Sequence, residues 1–122
     1  MFKYHNENPL GREVNDCVVR AIALATERSW DEVYDELSEL ARIEGTLLDD
    51  SNFVESYLND RYNKVCFKRN GFRIDLNEFK ERYPIGTYLV TMKGHITCVV
   101  DGKIHDIWNC GNKKIWCAWK VV

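Results

Sequence analysis

No apolar run in this chain is long enough to cross a bilayer: the longest, Val18 to Ala25, is short and is broken by Arg20. The opening residues, Met1 to Pro9, hold no apolar signal region, so the chain is expected to act in the cytosol where it is made. A basic stripe is also missing. The 17 Lys and Arg are scattered among 19 Asp and Glu for a formal charge of −2, which argues against a nucleic-acid partner. Cys17, Cys66, Cys98, Cys110 and Cys117 form an odd set with no C-x-x-C pair, and without a secretory signal they argue against a disulfide framework. A zinc set drawn from Cys98, His105, Cys110 and Cys117 lacks the usual ligand spacing, so no metal is expected. Repeats, linkers and low-complexity tracts are absent, and 1–122 is expected to be a single domain.

What the chain does have is 45% apolar and 30% charged residues, ordinary for a globular domain. Residues 1–14 read as irregular, with Asn6, Asn8, Pro9 and Gly11 as turn formers. A helix is predicted from about Cys17, with Asn15 or Asp16 as its N-cap. Its body is apolar nearly all round, which marks a central, buried helix. Ser29 and Glu32 form a capping box for a second helix, whose inner face runs Trp30, Val33, Tyr34, Leu37, Leu40, Ala41 and which ends before Gly45. A third helix is predicted over 52–61, a strand near 64–68, and a short helix over 76–82 capped by Asp75. The last third reads as strands at 87–92, 95–100, 103–108 and 114–121, with an Asp101-Gly102 hairpin turn in the middle. The expected architecture is therefore α+β: an N-terminal helical half packed on a C-terminal antiparallel meander.

Two features of that layout carry chemistry. Cys17 stands at a helix N-terminus, where free amides and the helix dipole favour an anion and lower a thiol pKa. A buried cysteine acting as a small apolar residue is the plainer alternative. The Asp101-Gly102 turn sets a register that pairs Val99 with Ile104, Cys98 with His105, and Thr97 with Asp106. His95 and Asp106 then share a face as diagonal neighbours, close enough for the carboxylate to orient the imidazole. His105 falls on the opposite face. Trp108 lies beside His95 and is a candidate for the substrate cleft, whereas Trp116 and Trp119 read as core.

Asn-Asp-Cys-Val-Val-Arg-Ala-Ile-Ala at 15–23 resembles the nucleophile helix of papain-like cysteine peptidases. With Ser-Trp-Asp-Glu-Val-Tyr-Asp-Glu-Leu at 29–37 and Gly-His-Ile-Thr-Cys-Val-Val-Asp-Gly-Lys-Ile-His-Asp-Ile-Trp-Asn at 94–109, it is similar to a group of small phage- and plasmid-borne proteins of that superfamily. The order of nucleophile helix, His strand and acid strand is that of the superfamily, which includes bacteriocin-processing and Josephin-type peptidases. The resemblance implies a papain-like fold, with Cys17 as nucleophile, His95 as general base then acid, and Asp106 as the orienting residue. It departs at one point. Papain-like enzymes usually place a Gln, sometimes an Asn, several residues before the cysteine as an oxyanion donor. Here Gly11 and Arg12 occupy that stretch, and the chain contains no glutamine. Asn15 is the expected stand-in, with Asn8 as the alternative.

The expected activity is cofactor-free acyl transfer from a protein or peptide substrate, in the host cytoplasm if the chain is phage-encoded. Hydrolysis of a peptide or isopeptide bond leads. Transamidation of the transglutaminase kind and a non-catalytic binding or inhibitor module on the same scaffold are the alternatives.

Overall fold

The structure, a computed structural model, describes residues 1–65 and 73–122. The apolar segment after Asp16 forms helix α1 (Cys17–Thr26), and all of its residues but Leu24 and Thr26 are buried. Alanines at 21, 23 and 25 keep the helix slim, so it can lie close against a sheet. Helix α2 (Trp30–Glu44) is capped as predicted, with Ser29 Oγ accepting from the Glu32 amide at 3.1 Å and Gly45 closing it in the left-handed region. It buries Val33, Leu37 and Ala41, while Tyr34 stays exposed and stacks on Trp30 at 5.0 Å. Helix α3 (Ser51–Arg61) buries Phe53, Val54, Tyr57 and Leu58, the four positions its sequence pattern turns inward. Helix α4 (Leu76–Arg82) starts at Asp75, whose carboxylate accepts from the Glu78 amide at 2.8 Å.

The strands are β1 (Phe2–Tyr4), β2 (Asn63–Val65), β3 (Thr87–Met92), β4 (His95–Val100), β5 (Lys103–Asp106) and β6 (Ile115–Lys120). They form one six-stranded mixed sheet in the order β1-β5-β4-β3-β6-β2. The register across the Asp101-Gly102 turn is the expected one: Val100 pairs with Lys103, Val99 with Ile104 and Cys98 with His105.

Three expectations are corrected. Residues 2–4 are not irregular: they add a strand parallel to β5, Phe2 opposite Ile104. Three residues are too few to display a strand period. The last four strands are not a simple meander, because β6 crosses to the far side of β3, with Leu89 opposite Trp119. The edge of β5 next in line is occupied by β1, and the 107–114 connection is long enough to cross the roughly 14 Å to the other edge. The strand expected to run on to 108 ends at Asp106. Of the strand expected near 64–68, β2 covers Asn63–Val65, and the remainder lies outside the described residues.

Both faces of the sheet are covered. Helices α1, α2 and α3 bury Leu89, Ile96, Cys98 and Trp119 on one side, and α4 buries Tyr88, Val90, Val99 and Ile104 on the other. Among the described residues no helix is long and apolar enough to cross a membrane. Ile22, fully buried where α1 meets the sheet, is central to the first core. Ile22→Ala is expected to lower stability by about 2–5 kcal/mol through lost burial and an unfilled cavity. In urea denaturation this appears as a lower midpoint with an unchanged slope; a midpoint within experimental error of wild type would contradict the packing described.

Candidate active site

The first turn of α1 is built around a carboxylate that does not cap it. Asp16 stands at the N-cap position but makes no capping bond. Instead it accepts from Asn8 Nδ2 at 3.1 Å, Trp30 Nε1 at 2.9 Å and Arg20 Nε at 2.6 Å. These bonds fix the helix end that carries Cys17, which is 9% exposed. Asn8, the alternative oxyanion donor, has its amide N–H committed to Asp16. Asn15 is exposed and lines a groove beside Cys17.

The hairpin supplies the other half. The Lys93-Gly94 turn, with Gly94 at φ 68°, starts β4 at His95. The imidazole Nε2 lies 2.7 Å from Asp106 Oδ2 at the end of β5, so the diagonal relation expected from the turn register is realised as a hydrogen bond. Cys17 and His95 line the same groove, and the nearness of the imidazole and of the Ile96 backbone lowers the thiol pKa. Cys17, His95 and Asp106, distant in sequence, are thus brought to one place, with His95 bonded to Asp106 and lining the groove with Cys17. His105 is not part of it: its ring faces that of His5 at 6.3 Å between centroids.

Two residues of this centre were not singled out from sequence. Arg20 breaks the apolar run of α1, and the structure gives the reason. Its guanidinium, 6% exposed, bonds Asp16 through Nε and Asp106 Oδ1 through Nη1 at 2.8 Å. An arginine three residues after the cysteine in an otherwise apolar helix was the available signal. Cys110, buried in the 107–114 connection, places its sulfur 3.9 Å from Asp106 Oδ2 and within 4.8 Å of a His95 ring nitrogen. No motif pointed to it. Of the zinc set considered from sequence, Cys98 sits in the first core and Cys110 in the second. Among the described residues the set does not converge.

A groove of about 670 Å³ runs past Cys17 and His95 between α3 and the sheet. Asn15, Asp49, Asp50, Glu55, Met92 and Trp116 contribute to its walls. Trp116 was expected in the core but is 43% exposed here, because β6 lies beside β3 and turns this ring to the groove. Trp119 is fully buried, as expected. Trp108 lies 4.9 Å from the His95 ring, half exposed, and shields the imidazole outside the residues that line the groove.

The electrostatics follow from these contacts. Burial pushes the Asp106 carboxyl up, but hydrogen bonds from His95 and Arg20 prevail and bring it down to about 2. Burial pulls the His95 imidazolium down, yet its bonds to Asp106, Cys110 and Cys17 raise it to about 11. Burial raises the Cys17 thiol, and the His95 and Ile96 hydrogen bonds with the charges of His95 and Arg20 reverse this, so its pKa falls below the ordinary value. The arrangement favours a thiolate beside an imidazolium.

Arg20→Met leaves two buried carboxylates without their cation and is expected to cost about 3–5 kcal/mol in chemical denaturation. Arg20→Lys is expected to recover only part of this, since one ammonium does not reproduce the guanidinium fork. A loss below about 1 kcal/mol for the Met variant would contradict the clamp.

The pH dependence has a definite sign. Asp106, depressed from 3.8, contributes stability present in full above pH 3.8 and lost as the pH falls through about 2. His95, raised from 6.5, contributes stability present in full below pH 6.5 and lost as the pH rises through about 11. In a double-mutant cycle of His95→Ala and Asp106→Asn, the coupling is expected to be largest between about pH 4 and pH 6.5 and to shrink on both sides. A coupling that keeps rising towards pH 10 would be inconsistent with this pair.

Compared with known proteins, the chain matches no protein-family model, no curated protein and no solved structure.

Proposed function

We propose that the chain is a papain-like cysteine hydrolase, acting on a protein or peptide substrate through an acyl-thioester on Cys17. The observation that carries this reading is one imidazole bonded to a buried carboxylate and set beside a thiol at a helix N-terminus, with thiol and imidazole both lining an open groove. A structural ion pair has no need of a groove, and a packing cysteine has no need of an imidazole.

In this mechanism the Cys17 thiolate attacks the carbonyl carbon of an amide, isopeptide or thioester, and the carbonyl oxygen becomes an oxyanion. The first-turn amides of α1, which Asp16 leaves uncapped, and the Asn15 side chain at the groove wall are the donors this mechanism assigns to it. His95 gives its proton to the leaving group as the tetrahedral intermediate collapses, then takes one from the water that resolves the thioester. Asp106, held by Arg20, keeps the ring oriented through Nε2. The groove volume lies within the usual range for ligand sites, and its wall offers the Trp116 ring beside three carboxylates.

The test is the rate of Cys17 carbamidomethylation by iodoacetamide between about pH 4 and pH 10, read by peptide mass spectrometry in wild type and His95→Ala. The expected result is an apparent thiol pKa well below the roughly 8.5 of free cysteine, lost in His95→Ala, with a rate well above that of a small-molecule thiol at low pH. A peptide library cleaved by wild type and untouched by Cys17→Ala would then identify the bond. A Cys17 as slow as a packing cysteine and indifferent to His95 would overturn the hydrolase reading and leave a binding module on this scaffold.

A further inference from the structure

Cys110 has no part in the mechanism above, yet it sits against the same imidazole and carboxylate. One ligand atom from each of His95, Asp106 and Cys110 lies within 4.8 Å of the other two. Three protein ligands around a tetrahedral zinc ion, with bonds of about 2.0–2.3 Å, lie roughly 3.3–3.8 Å from one another. The Cys110 sulfur is already 3.9 Å from Asp106 Oδ2, close to that separation, and the 2.7 Å His95–Asp106 pair would open by about 0.6 Å to admit the ion.

The carboxylate is also divided in the way a metal ligand requires. Asp106 Oδ1 accepts from Arg20 Nη1 at 2.8 Å and from the Ile107 amide at 2.7 Å. Oδ2 is the oxygen that faces His95 and Cys110. Outer-shell bonds of this kind orient a ligating carboxylate and limit its freedom. One thiolate, one imidazole and one carboxylate suit a borderline-soft ion such as Zn2+; Mg2+ and Ca2+ prefer oxygen alone.

We propose that His95, Asp106 and Cys110 form a zinc-binding site, and that zinc bound there withdraws His95 from Cys17. On binding, the Cys110 thiol proton and the proton on the ligating ring nitrogen leave to solvent, and the ion takes their places between the donors. The fourth coordination position is left to water. The site stands on the geometry of these three residues and does not require the chain to be a hydrolase.

Cobalt(II) is the probe, because a thiolate ligand gives a near-ultraviolet charge-transfer band and tetrahedral coordination gives intense visible bands. The expected result is that wild type and Cys17→Ser show both sets of bands on Co2+ titration, and that Zn2+ displaces them. Cys110→Ser, close in size to the native residue, is expected to lose the charge-transfer band and to bind Zn2+ about 100-fold or more weakly in competition with a chromophoric chelator. Its thermal melt in the absence of metal checks that it still folds. His5→Ala, at the neighbouring His5–His105 contact, is expected to bind as wild type does.

No band in wild type, or a band that survives Cys110→Ser, would overturn the site. Rapid Cys17 alkylation unaffected by zinc would overturn the withdrawal of His95 while leaving the hydrolase reading in place. Zinc binding by a protein whose Cys17 never reacts would remove the hydrolase reading and leave the metal site standing.

Discussion

The Asp106 carboxylate is 2% exposed and still charged, and a buried charge persists only where partners replace the water it has lost. One oxygen is taken by Arg20 and the Ile107 amide, the other by His95 and the Cys110 thiol. Its backbone oxygen accepts from the His5 amide at 2.9 Å. A single residue at the end of β5 therefore ties together α1, the start of β4, the connection into β6 and the N-terminal segment. Each of those elements has a polar reason, besides its apolar one, to be where it is.

The clamp makes Cys17 and Asp106 parts of one rigid body. Arg20 lies three residues after Cys17 on the same helix, so whatever holds Asp106 also sets the height of the thiol against the sheet. Asp16 completes the arrangement by gripping Arg20 from one turn below and joining the helix end to Trp30 and Asn8. Sites of this kind depend on supporting groups whose own positions are locked by packing. Here the support comes from a helix buried on nearly every side, which has little freedom to tilt. The open side of the centre is the groove, bounded by α3 and the exposed face of β6.

Much of this was legible in the residues because local chemistry dictated it. Ser29, Asp50 and Asp75 cap their helices through their own side chains, so those helices start where short-range pattern places them. The Asp101-Gly102 turn fixes register for the strands on either side, and alternation then brings His95 and Asp106 to one face. What was not legible depends on long-range competition. Nothing near Ile115 says that it will pair with Met92 and not with β5, because that choice rests on β1 having taken the other edge. The exposure of Trp116 follows from the same crossing. Arg20 was visible as an interruption, but its two carboxylate partners lie four and 86 residues away, and only the closed fold brings the second one near.

Charge separation at this centre depends on the protonation state of His95 in the resting protein. Nitrogen-15 NMR of the imidazole ring, near neutral pH and compared with Cys17→Ser and Asp106→Asn, reads that state without any substrate. The result expected is an imidazolium, with both ring nitrogens protonated well above pH 6.5 in wild type and a lower titration midpoint in either variant. A neutral ring that titrates near 6.5 in all three proteins would contradict it, and would reduce the centre to a buried contact with no charge separation for Cys17 to use.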